Sequence, residues 1–214
     1  MVQERETDTT EPEVAPAEPE AVEVEAVEPE EAAPLDPEVE ARRAAAMSFI
    51  RRLGDPVLKS RATPVDRFDD SLRRQASRMA GIMHDALGVG LAAPQLGISQ
   101  RLLVYRIGPD APVTVLANPE LDWTSGELEL GEEGCLSIPG VLVDVDRPLH
   151  VRVRGVDEEG EQRVVEASGL EARVIQHEID HLDGVLILER TTREERKRAL
   201  RELREAEQRS SEAA

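Results

Sequence analysis

Aromatic side chains are nearly absent: two Phe, one Trp and one Tyr in 214 residues. A core for a chain of this size must then be assembled from Leu, Val, Ile, Ala and Met. Cysteine is reduced to a single residue, Cys135, which excludes an intrachain disulfide and leaves the fold to hydrophobic packing. Positive charge is short, with 26 Lys and Arg against 45 Asp and Glu and a formal net charge of −19. A nucleic-acid binder needs a basic face to neutralise phosphates, so neither general nor sequence-specific binding is expected. No apolar run approaches the ~20 residues that span a bilayer, so membrane insertion is not expected either. The N-terminal stretch lacks a basic region followed by an apolar one, and it is too acidic for an organellar transit peptide. The expected location is the cytoplasm.

What is present is unevenly distributed. Residues 1–40 hold thirteen Glu and two Asp against one Arg, which accounts for fourteen of the nineteen net negative charges. Pro12, Pro16, Pro19, Pro29, Pro34 and Pro37 interrupt any helix there. Such a segment buries too little apolar surface to offset the entropy of ordering, so residues 1–46 are expected to form a disordered acidic tail. An acidic arm docking on a basic partner such as the ribosome surface is the alternative. From Met47 the composition becomes mixed, and residues 47–190 are expected to form the catalytic domain. Residues 191–214 are expected to form a charged helix with a frayed end.

Within the domain, Phe68, Leu72, Ala76, Met79, Met83 and Ala86 recur at helical spacing up to Gly88. Short β-rich runs follow at 101–107, 113–117, 127–130, 141–145 and 151–156, and a turn at Glu158-Glu159-Gly160 makes 149–167 a hairpin. Leu170, Val174, Ile175, Ile179 and Leu182 return to helical spacing. Strands interleaved with helices, without regular βαβ alternation, predict an α+β fold.

Three short segments carry chemistry. The first is His177-Glu178-Ile179-Asp180-His181 on the second predicted helix. Positions i and i+4 share a helix face, so two imidazoles can meet one metal, with Glu178 beside them to act on its water. The second is Glu133-Gly134-Cys135-Leu136-Ser137-Ile138-Pro139-Gly140, a turn-rich stretch. An open tetrahedral metal site needs a third protein ligand, and Cys135 is the only soft candidate, with His84 and His150 as competitors. The third, Gly88–Gly97, lacks the lysine of a P-loop and does not match the dinucleotide fingerprint. By itself it signals only tight backbone turning or close approach.

In their order and spacing, GVGLAAPQLG, EGCLSIPG and QHEIDHLDG resemble the three motifs of bacterial peptide deformylases. RLGDPVLKSRATPV also resembles that family's N-terminal segment, and the likeness covers about residues 49–190. The resemblance implies an α+β fold with antiparallel sheets around a central helix bearing both histidines. It implies a hydrolase that removes the formyl group from the N-terminal formyl-methionine of nascent polypeptides and releases formate. By motif position, Cys135, His177 and His181 would be metal ligands and Glu178 the acid/base. Gln95 and the Leu136 backbone N–H would support the oxyanion. Gly90 would pair with substrate peptide, and Val89 and Leu170 would line the methionine pocket. One divalent metal per chain is implied, iron(II) by family, with zinc or nickel as substitutes. Partners would be formyl-Met peptides, with the ribosome as a candidate. Some members carry an arginine where this chain has Leu142, which bears on substrate preference rather than chemistry. Arg147 matches a family arginine with an expected structural role, pairing with Glu133.

Two rivals follow from the same residues. A zinc peptidase of the HExxH type would draw its third ligand from downstream, where Glu194, Glu195 and Glu202 are available. A deformylase-like scaffold without catalysis would bind a partner instead, but the intact Glu178, Gln95 and ligand set argue against it.

Overall fold

The structure, a computed structural model, describes residues 35–212. It opens on a helix, α1 (Pro37–Met47), in a stretch that composition assigned mostly to the acidic tail. The cause is local. Asp36 caps the helix by accepting from Glu38 N–H, Pro37 sits in the first turn, and Ala44–Ala46 favour helix. Ala46 is buried, so α1 is part of the domain. The rest of the predicted tail, residues 1–34, lies outside the described residues.

Helix α2 (Asp70–Asp85) is capped by Asp69, whose side chain accepts from Ser71 and Leu72 N–H. It ends where Leu87 turns left-handed at φ 60° and Gly88 N–H donates back to Met83 O. A five-stranded antiparallel sheet follows in the order β1 (Gly90–Ala92), β2 (Leu102–Tyr105), β3 (Thr114–Thr124), β6 (His150–Val156), β7 (Gln162–Ser168). Strand β2 reads Leu-Leu-Val-Tyr without alternation because both its faces are covered. Leu102 and Val104 pack with Leu72, Met79 and Met83 of α2. Leu103 and Tyr105 pack with Ile175, Ile179 and Leu182 of α3 (Gly169–Leu182).

Strands β4 (Leu128–Cys135) and β5 (Ile138–Pro148) form a separate two-stranded antiparallel sheet. The stretch predicted as turn-rich, 133–140, is mostly the closing end of this hairpin: Cys135 pairs with Ile138 across Leu136-Ser137. A third core of Ile138, Val143, Val145, Leu186 and Ile187 lies beneath it and is covered by the charged C-terminal helix α4 (Arg193–Glu212) through Ala199, Leu200 and Leu203. Arg198 of α4 donates to Leu142 O at 2.9 Å and is flanked by Glu195 and Glu202. Of the Phe, Tyr and Trp side chains among the described residues, Tyr105 is buried, while Phe49 and Trp123 are half-exposed, as a core of aliphatic residues requires. Among the described residues, no helix is long and apolar enough to cross a membrane.

Candidate metal and active site

Helix α3 and the β4–β5 hairpin meet around one cavity of about 580 Å3. Val89, Gly90, Gln95, Cys135, Leu136, Leu170, His177 and Glu178, all singled out from sequence, line it. His181 lies just behind, almost fully buried, with its Nε2 3.2 Å from Cys135 Sγ. The donor atoms of Cys135, His177 and His181 all fall within 4.8 Å of one another. Metal bonds of about 2.3 Å to sulfur and about 2.0 Å to nitrogen in tetrahedral geometry put neighbouring donors about 3.5 Å apart, so the three fit one first-row divalent ion. Burial opposes ionisation of the Cys135 thiol, but the charges and hydrogen bonds of His181 and His177 outweigh it and hold the thiol well below its ordinary value. The competing histidines are engaged elsewhere: His84 contacts Arg106 and His150 contacts Ser168. Glu195 and Glu202 are paired with Arg198 on α4, away from the imidazoles.

A buried ionic network fixes the ligand helix. His177 Nδ1 lies 3.0 Å from Glu133 Oε2, which leaves Nε2 as the nitrogen that could bind a metal. Arg147 grips Glu133 bidentately, Nε to Oε1 at 2.8 Å and Nη2 to Oε2 at 2.9 Å, as the sequence predicted. Its remaining arm, Nη1, donates to Asp180 at 2.6 Å, and Arg190 holds the same carboxylate from the other side. Burial pushes the Glu133 carboxyl up, but Arg147 and His177 more than reverse this and bring it down to about 2. Arg173, one helical turn before His177, was not singled out from sequence. It donates to Glu133 Oε1 at 3.0 Å, Val145 O at 2.8 Å and Glu129 O at 2.6 Å, so it bolts α3 to both strands of the hairpin. Gly131 is glycine for this reason, since a Cβ there would come within 2.9 Å of the guanidinium.

Two further groups lie on the same cavity as the Cys135–His177–His181 cluster. Gln95, almost fully buried, accepts from Ala92 N–H at 2.8 Å through Oε1. That bond orients the amide so that Nε2 points at Ser137 Oγ (3.4 Å) and Cys135 Sγ (3.8 Å). Glu178 is buried with Oε2 lacking any protein hydrogen-bond partner, and burial pushes its carboxyl up. It lies flat against Gly90, where a Cβ would overlap Oε1 and meet Cδ and Cγ at 2.9 Å. Leu87, Val89, Leu142 and Leu170, all about half-exposed, give the cavity an apolar mouth, and Arg43 and Met47 of α1 complete the rim. Composition placed Arg43 in the tail, so nothing in the sequence linked it to the site.

The family model for polypeptide deformylases matches residues 47–197. A peptide deformylase from Parafrankia sp. is 49% identical over 158 residues, spanning 74% of this chain and 86% of its own length. One from Thermotoga neapolitana is 50% identical over 144 residues, spanning 67% and 87%. Among solved structures, the Legionella pneumophila peptide deformylase superposes with a TM-score of 0.72 at 39% identity, covering 76% of this chain and 96% of the other. The Synechococcus elongatus peptide deformylase in complex with actinonin superposes at 0.69 and 47% identity, covering 72% and 85%.

Proposed function

The chain belongs to the polypeptide deformylase family, metal-dependent hydrolases that remove the formyl group from the formyl-methionine of nascent polypeptides, and on that premise we propose how its own residues divide the work. The observation that carries the assignment is the meeting of Cys135, His177 and His181 donor atoms within 4.8 Å, with Glu178 and Gln95 on the same cavity.

Cys135, His177 and His181 hold the metal. When bound, it supplies positive charge that acidifies water and polarises the formyl oxygen. Glu178 takes a proton from the attacking water as the new C–O bond forms, then delivers it to the amine nitrogen as the C–N bond breaks and formate leaves. A carboxyl raised by burial suits both halves of that transfer. The Gln95 amide and the Leu136 N–H meet the negative charge that develops on the formyl oxygen. Val89, Leu170 and the backbone of edge strand β1 at Gly90 hold the methionine end of the substrate. Formate release from formyl-Met-Ala by anaerobically prepared protein tests the whole reading; absence of formate with metal bound would overturn it.

Gln95→Leu keeps the side-chain volume but removes the amide. A single oxyanion donor contributes about 3–4 kcal/mol in the transition state, so kcat should fall about 100- to 1000-fold while KM changes little. A raised KM with unchanged kcat would reassign Gln95 to substrate binding. Gly90→Ala adds one methyl group where the Glu178 carboxylate lies. It should displace the carboxylate and lower kcat about 100-fold without loss of metal, measured as formate release beside metal content.

Iron(II) is the proposed native metal, and the thiolate ligand supplies the rationale. By donating charge, it leaves zinc a poorer Lewis acid. Apo protein reconstituted under argon with iron(II), nickel or zinc should be faster with iron than with zinc, and only the iron form should lose activity on timed exposure to air. A zinc form as fast as the iron form would assign zinc instead. The same reading puts the enzyme in the cytoplasm, at the ribosome, because that is where formyl-methionine chains emerge.

A further inference from the structure

A second cleft, of about 490 Å3, lies outside the catalytic cavity. One wall is a single stripe of α2, Ser71, Arg74, Gln75 and Arg78, at spacings that share a helix face. The facing wall is the segment after α1 that carries Phe49 and Arg51. Among the described residues, no carboxylate lines this cleft, in a chain where acidic residues outnumber basic ones 45 to 26. Neighbouring arginines are neutralised: Arg73 is bound to Asp70 at 2.5 Å and Arg67 to Asp69 at 2.8 Å. Arg74 and Arg78 are exposed and have no ion pair among the described residues. Among the described residues, the one carboxylate within ion-pair reach of Arg51 is Asp55, at 3.7 Å. Arg78 lies over the half-exposed Phe49 ring, 5.3 Å from its centre.

Three guanidinium groups around one concavity repel each other and focus positive potential within it, and an anion relieves both. Arginine presents planar paired donors that match phosphate oxygens. The stacked Phe49 and Arg78 add a flat surface of the kind on which a ring can lie. The volume falls in the range of small-ligand sites. We propose that this cleft binds the phosphate groups of a nucleotide, either as a free molecule or as part of an RNA strand. This site is independent of the catalytic reading, because among the described residues none lines both cavities.

The test is equilibrium binding to the full-length protein of a fluorescent ATP analogue and of a labelled oligouridylate, each competed with inorganic pyrophosphate. Saturable binding at or below about 1 mM is expected for at least one probe, weakened by pyrophosphate and by raising salt from about 50 to about 200 mM. The Arg74→Glu/Arg78→Glu double variant should bind about tenfold more weakly or worse, and Arg74→Gln/Arg78→Gln should lose affinity to a smaller degree. Both sites are exposed, so far-ultraviolet circular dichroism and Tm should stay at the native values. Nucleotide binding alone assigns the free ligand; oligouridylate binding that ATP displaces assigns RNA. No saturable binding of either probe at about 1 mM overturns the proposal. So does binding that both folded double variants retain in full.

Discussion

Glu178→Ala is expected to lose turnover by about 1000-fold or more while keeping close to one metal per chain. The two halves of that result have separate causes. Glu178 is not among the three clustered donors, so the proposed metal site is left whole. The carboxylate is, however, the group proposed to move a proton from water to the amine. The variant should also be no less stable than the parent, an unusual outcome for removing a buried side chain. Glu178 Oε2 has no hydrogen-bond partner among the described residues, so burying it costs stability in the parent. The truncated side chain opens a small cavity, which offsets part of that gain. Formate release, metal analysis and thermal unfolding on one preparation check all three statements. Loss of metal with activity would make Glu178 a ligand or ligand support, and retained turnover would move the acid/base role elsewhere.

The chemistry was legible because it sits in contiguous residues. His177 and His181 are four apart on a strongly periodic helix, so their shared face follows from geometry alone. Cys135 and Gln95 are different. Their approach to the histidines depends on how a hairpin and a short 3-10 turn (Ala93–Leu96) pack on α3; ligand chemistry made Cys135 a candidate beside His84 and His150, and only the likeness to known motifs pointed to Gln95. Arg173 shows what local pattern cannot supply. Its partners, Glu129 O, Glu133 and Val145 O, lie 28 to 44 residues earlier on two strands. An arginine beside Ala172, Val174 and Ile175 was a signal, because an unpaired charge among them would be costly. Helix α1 was hidden for another reason. Composition averaged over forty acidic, proline-rich residues masks a capped, alanine-rich turn at their end. Strand β3 runs on to Thr124, well past the predicted 117, because a bulge near Asn118, which is left-handed at φ 51°, lets it pair with β6 on both sides of the irregularity.

Arg147→Met is expected to cost about 3–5 kcal/mol, the largest stability loss of any single change outside the aliphatic core. Methionine fills much of the space of the arginine stem, so the loss is electrostatic rather than volumetric. Arg147 makes three hydrogen bonds to two carboxylates, and both acceptors are buried. With it gone, Arg173 and His177 still reach Glu133, and Arg190 still reaches Asp180, but each carboxylate loses its best-placed donor. At 2–4 °C per kcal/mol for a domain of this size, Tm should fall by roughly 10 °C. The effect should also reach the site, because Glu133 orients His177, so metal should leave the variant faster on challenge with a chelator. Pairing the change with Glu133→Gln separates charge from packing. If the penalty comes from a carboxylate stripped of its partner, Arg147→Met/Glu133→Gln should be less destabilised than the sum of the single variants by 1 kcal/mol or more, about the coupling seen between directly bonded groups. Strict additivity, measured by denaturant unfolding of all four proteins in the same buffer with excess chelator, would mean that Arg147 acts through packing alone.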